Sequence, residues 1–143
     1  MTDKIVKFLD LDVQYKKIRT DIISAVTKAL DSGTYILGQE VEKFENCFAT
    51  MHDCDYGAAV NSGTSALHLA LLACGIKKGD EVITTAMSFT ATAAAIVYCG
   101  AKPVFVDVDP SSITIDLLKI AAAISPKTKA IVPVHYAGVA CEM

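Results

Sequence analysis

"YGAAVNSGTSALHLALLACG", Tyr56–Gly75, decides the fold. A short run of small and branched residues leads into the hydroxyl-rich turn Asn61-Ser62-Gly63-Thr64-Ser65. An alanine- and leucine-rich stretch follows and is closed by Gly75. Glycine just past an apolar helical stretch is a common left-handed helix stop. The order therefore reads strand (56–60), turn, helix.

Toward the C-terminus the same alternation repeats. "DEVITT", "KPVFVDV" and "KAIVPVHY" are short and β-rich, and "FTATAAAIVYC" and "IDLLKIAAAI" between them are helical in character. Turn signals separate them at Lys78-Gly79-Asp80, Gly100, Asp109-Pro110 and Ser125-Pro126. Apolar strands alternating with helices predict an α/β fold, a mostly parallel sheet with helices on both faces. Toward the N-terminus the pattern differs. Val13, Ile18, Ile22, Val26 and Leu30 recur at mostly helical spacing, then Asp31-Ser32-Gly33 reads as a helix end. "EVEKFENCFATMH" sets Val41, Phe44 and Phe48 on a second amphipathic stripe. A helical segment over 1–52 followed by an α/β segment over 53–143 is the expected division.

At 143 residues the chain is long enough to bury a core. Its apolar runs stay near ten residues, too short for a bilayer, which needs about 20. "MTDKIVKFLD" contains no apolar leader segment. A net charge of −3, with Arg19 the only arginine, speaks against nucleic acid. Five cysteines without a CxxC pair suit reduced thiols and a cytoplasmic setting; Cys74 and Cys99, inside apolar runs, are expected to pack as small hydrophobes. The histidines His52, His68 and His135 are far apart, and no metal site is expected.

Two features invite chemistry. The amides of a helix's first turn lack intrahelical partners, and the helix dipole makes that end positive. Gly63 allows close approach there, and Ser62, Thr64 and Ser65 add hydroxyls, so an anion can bind; Ser62 or Thr64 serving only as an N-cap explains the same residues. Neither a G-x-x-x-x-G-K-[ST] nor a G-x-G-x-x-G motif is present. Phe89, between Ser88 and Thr90 at a strand-to-helix junction, either stacks on a planar ring or packs in the core.

"GTYILGQEVEKFE", "AAVNSGTSALHLAL", "GDEVITTAMSFTATAAAI", "GAKPVFVDVDP" and "KTKAIVPVHYAG" follow one another in an order and spacing that resembles the N-terminal part of the DegT/DnrJ/EryC1/StrS aminotransferases. The resemblance runs from about Asp10 to Gly138. It implies the large domain of the aspartate-aminotransferase-like fold and pyridoxal phosphate (PLP) as cofactor. The implied activity is amino transfer, with glutamate as the expected donor, to a nucleotide-linked keto-deoxy sugar, as in polysaccharide biosynthesis, by a cytoplasmic homodimer. On this resemblance the cofactor phosphate falls to Gly63, Thr64 and Ser65, ring stacking to Phe89, and a substrate or dimer contact to Tyr35. His135 matches a motif without an assigned role. The family's cofactor-binding lysine and the acid that holds the pyridine nitrogen follow the region matched here, and Lys127 and Lys129 do not match that lysine. The 143 residues are thus expected to be a truncated form, inactive alone and without the small domain. The alternatives are a non-catalytic PLP- or phosphate-binding or assembly module that pairs with another chain, and a nucleotide-binding α/β domain unrelated to PLP. Exposed apolar surface and self-association are expected of the chain by itself.

Overall fold

The computed structural model describes residues 6–143; the reading of the extreme N-terminus lies partly outside the described residues. The chain divides into two compact units, one ending at Ala59 and the other running from Val60 to Met143.

The first unit is helical. α1 (Leu11–Asp31) follows the expected periodicity, yet none of its residues is buried; Val13, Ile18, Ile22, Val26 and Leu30 are all exposed. It ends as its sequence predicts, with Gly33 at φ +67° in the left-handed region. α2 (Gln39–Met51) opens after Gly38, at φ +97°, and buries only Ala49. Phe44, Phe48 and His52 stack along one stripe, with ring centroids 5.7 Å and 4.4 Å apart, while both phenylalanines stay half-exposed.

The second unit holds the sheet. Its elements are α3 (Gly63–Ala73), β1 (Glu81–Thr85), α4 (Thr90–Tyr98), β2 (Lys102–Val106), α5 (Leu117–Ala123) and β3 (Thr128–Val132). The strands lie in the order β2-β1-β3 and all pair in parallel. Thr85 stands opposite Val106 on one side and Thr84 opposite Val132 on the other. Side chains alternate across a strand, so Val82 enters one cluster with Leu71, Ala95 and Ile96 of α3 and α4. Ile83 enters another with Ile120 of α5. Helices thus cover both faces, as the alternating pattern predicts. Central β1 is buried nearly throughout, whereas β2 and β3 are buried only in part. Pro103 explains why β2 tolerates an edge, since proline cannot donate to a further neighbour.

Two expectations are corrected. No strand forms over 56–60 among the described residues. No neighbouring strand pairs with this segment, and a strand exists only by such pairing. Instead Ala59 N–H donates to Glu45 Oε1 at 2.7 Å, and a Cβ on Gly57 would lie 2.6 Å from the Glu45 carbonyl oxygen. Cys99 is buried as expected, but Cys74, at the end of α3, is exposed. No helix among the described residues is long and apolar enough to cross a membrane.

Candidate functional site

Ser62 is the N-cap of α3, extended at φ −162° and ψ 158°, and its Oγ accepts Ser65 N–H at 3.1 Å. The Ser62 hydroxyl donates to Ser65 Oγ at 3.0 Å, which leaves the Ser65 proton free for an outside acceptor. The N–H groups of Gly63 and Thr64 have no acceptor among the described residues, and the first turn contains no acid to neutralise the helix end. Gly63 is not in the left-handed region, and a Cβ there would meet no atom within 4 Å. Neither the backbone angle nor a neighbouring atom among the described residues therefore requires glycine at 63, and the space beside it is open. Free amides, the two hydroxyls of Thr64 and Ser65, and open space at a positive helix end fit a phosphate monoester.

Phe89 is placed by the turn that follows β1. Met87 N–H donates to Thr85 Oγ1 at 3.2 Å, and Ser88 N–H to the Ala86 carbonyl at 2.9 Å. The ring stands at the start of α4 with 78% of its surface exposed, so it is not a core residue. α3 and α4, which carry the two features at their N-termini, pack against each other. The carboxyl ends of β1 and β2 also bound a cavity of about 430 Å³, lined by Thr85, Met87, Phe105 and Asp107 among others. This is the edge of a parallel sheet at which ligands usually bind.

His135 follows β3. Its Nδ1 accepts Cys141 N–H at 3.0 Å, so the neutral ring carries its proton on Nε2. The buried Cys141 thiol also donates to the Val134 carbonyl, at 3.2 Å. Sequence reasoning missed this coupling; six residues apart in an irregular segment is a spacing with no signature. Tyr35, in the first unit, donates from its hydroxyl to the Leu30 carbonyl at 3.1 Å and is 72% exposed. It lines an open cavity of about 600 Å³ together with Val26, Leu30, Leu37 and Val41.

Two lysines of the second unit, Lys102 and Lys127, stand at the opposite end of the sheet, whereas Lys119 reaches Asp107 of the cavity lining. Lys102 opens β2 and pairs with Glu81 at 3.3 Å, and Lys127 immediately precedes β3, so both mark the amino ends of the strands. Lys119 pairs with Asp107 at 3.2 Å. The Ser125 hydroxyl, then Lys102, hold the Glu81 carboxyl below its ordinary range. The Val108 amide, then Lys119, do the same for Asp107.

The fold and these motifs have counterparts. The model of the DegT/DnrJ/EryC1/StrS aminotransferase family matches residues 16–143. A "pleiotropic regulatory protein" of Geobacillus stearothermophilus is 44% identical over 96% of this chain and 37% of its own length. The dTDP-3-amino-3,4,6-trideoxy-alpha-D-glucose transaminase of Streptomyces venezuelae is 42% identical over 96% of this chain and 36% of its own length. The crystal structure of NtdA from Bacillus subtilis with bound cofactor PMP superposes with a TM-score of 0.86. It is 39% identical, covering 94% of this chain and 32% of NtdA. The chain thus spans about a third of the length of the relatives it matches. With a family match over nearly all its residues and a parallel sheet that superposes on a solved relative, the chain belongs to the DegT/DnrJ/EryC1/StrS aminotransferase family.

Proposed function

We propose that this chain forms the cofactor-phosphate and ring-stacking part of a PLP-dependent aminotransferase acting on a nucleotide-linked keto-deoxy sugar, with glutamate as amino donor. One observation carries the reading: in a chain of this family, Gly63 leaves open space beside two amides without a partner among the described residues and the Thr64 and Ser65 hydroxyls. The chemistry that bound pyridoxal phosphate supplies is reversible uptake of an amino group, with the charge left on the donor carbon spread into the ring. The residues here bind and orient it. The Gly63 and Thr64 amides and the Thr64 and Ser65 hydroxyls hold the phosphate dianion, each charge-assisted contact stronger than a neutral one. Phe89 stacks on the ring, and Tyr35 contacts substrate or a neighbouring subunit.

No lysine of these 143 residues is assigned the amino-transfer step, so by themselves they are expected to bind the cofactor without turnover. Self-association accompanies this reading, supported by the exposed apolar residues along α1 and α2, and the proposed setting is the cytoplasm.

The test has two arms. The protein should bind pyridoxal phosphate in equilibrium dialysis. A protein that joins these residues to the family's lysine-bearing remainder should form 2-oxoglutarate from glutamate in step with an aminated nucleotide sugar. Absence of both binding and transfer overturns the reading.

A further inference from the structure

α4 begins against the ordinary rules. Its N-cap is Phe89, which offers no side-chain acceptor to the first-turn amides, where serine, threonine or aspartate is preferred. The same phenylalanine leaves its ring in solvent. Three residues later, Thr92 is 8% exposed on the helix face that also buries Ala95 and Ile96, a place where alanine would pack without a polar group. A buried hydroxyl needs a partner. Thr92 finds it in Ser88: the two Oγ atoms are 2.6 Å apart, and Ser88 Oγ also donates to the Phe89 carbonyl at 3.3 Å. With Ser88 donating there, Thr92 is the donor to Ser88. The Phe89 carbonyl additionally accepts Thr92 N–H at 3.1 Å. The backbone of Phe89 is therefore clamped from both sides by residues whose side-chain hydroxyls serve no other contact among the described residues. On the strand side, Thr85 fixes the turn through Met87. Departures from local propensity that converge on one exposed side chain mark a functional constraint rather than a folding one.

We propose that Ser88 and Thr92 are positioning residues for Phe89. Their hydroxyl bridge holds the first turn of α4 so that the exposed ring is presented as a preformed platform for a planar heterocycle. This rests on the cofactor reading above, with pyridoxal phosphate as the heterocycle. A ring already ordered before binding spares the ordering entropy on binding.

The experiment is a double-mutant cycle read by equilibrium binding of pyridoxal phosphate, with Phe89 side-chain rotamer populations measured by NMR in the ligand-free protein. Phe89→Ala should weaken binding about three- to tenfold. Thr92→Val and Ser88→Ala should each weaken it about two- to threefold and convert one Phe89 rotamer into an averaged set, while Thr92→Ser retains wild-type values. In the Phe89→Ala background neither variant should have a further effect. If Phe89→Ala binds as wild type, the stacking assignment falls and this inference with it. If Phe89→Ala weakens binding but the hydroxyl variants do not, or weaken it equally without the ring, the inference alone is overturned. Should Thr92→Val fail to fold, the Ser88→Ala arm decides the matter by itself.

Discussion

Ser32-Gly33-Thr34 and Ser62-Gly63-Thr64 are the same tripeptide in two regions of the molecule, and they do opposite things. The first ends α1: the Ser32 hydroxyl reaches back to the Ala29 carbonyl at 2.7 Å, and Gly33 turns left-handed at φ +67°. The second begins α3: the Ser62 hydroxyl reaches forward to Ser65 N–H, and Gly63 needs no special backbone angle. One glycine is there because the chain must turn. The other is there although the chain need not turn, beside amides that none of the described residues satisfies. A glycine the fold does not require, at the positive end of a helix, is the one the proposed phosphate site uses.

Substitutions that treat both copies alike can break this contrast. The largest difference is expected for the threonines. Thr64→Val removes a charge-assisted donor and should weaken pyridoxal phosphate about ten- to a hundredfold with the thermal midpoint unchanged. Thr34→Val, its counterpart, should leave affinity untouched; equal losses in the two variants would erase the distinction.

The glycines should separate in the other direction when stability is measured by denaturant unfolding. Gly33→Ala forces a Cβ into the left-handed region and should cost about 1–2 kcal/mol. Gly63→Ala meets open space at a helical position and should be neutral or stabilising by up to about 1 kcal/mol, while lowering phosphate affinity. The serines sharpen the same point more gently: Ser62→Ala should cost about 1 kcal/mol as a lost N-cap, and Ser62→Gly only a few tenths.

Acid gives the smallest effect and lies outside both turns. Ser125 and Lys102 hold Glu81 below its ordinary value of 4.5 in the folded chain. The stability this contributes is present above that value and is lost as pH falls through the lowered folded pKa. Glu81→Gln should flatten the fall in unfolding free energy below about pH 5, whereas the variants of either SGT turn should keep the wild-type slope.

Much of the second unit was legible because its signals are local. "DEVITT" became β1, "FTATAAAIVYC" became α4, and Ser62 took the capping role its position before Gly63 implied. "YGAAV" reads as a strand equally well, but a strand is a relation between segments, and no partner stands beside it among the described residues. The stripe on α1 was legible as a helix, yet nothing in its spacing told that none of its residues would be buried. At the candidate site, the hydroxyls of the second SGT turn could be read directly. The Ser88–Thr92 clamp and the Cys141–His135 pairing could not, since both depend on where a turn sends its side chains.

The ordered motifs of the sequence carried the family resemblance, and the α/β alternation and the residues that surround Gly63 were legible because periodicity, caps and turn chemistry act over a few neighbouring residues. Only the tertiary structure decided which strands pair, that Phe89 stands in solvent rather than in the core, and that Gly63 is free of any backbone demand. Those outcomes depend on contacts between residues far apart in the chain, and no local free-energy preference encodes them.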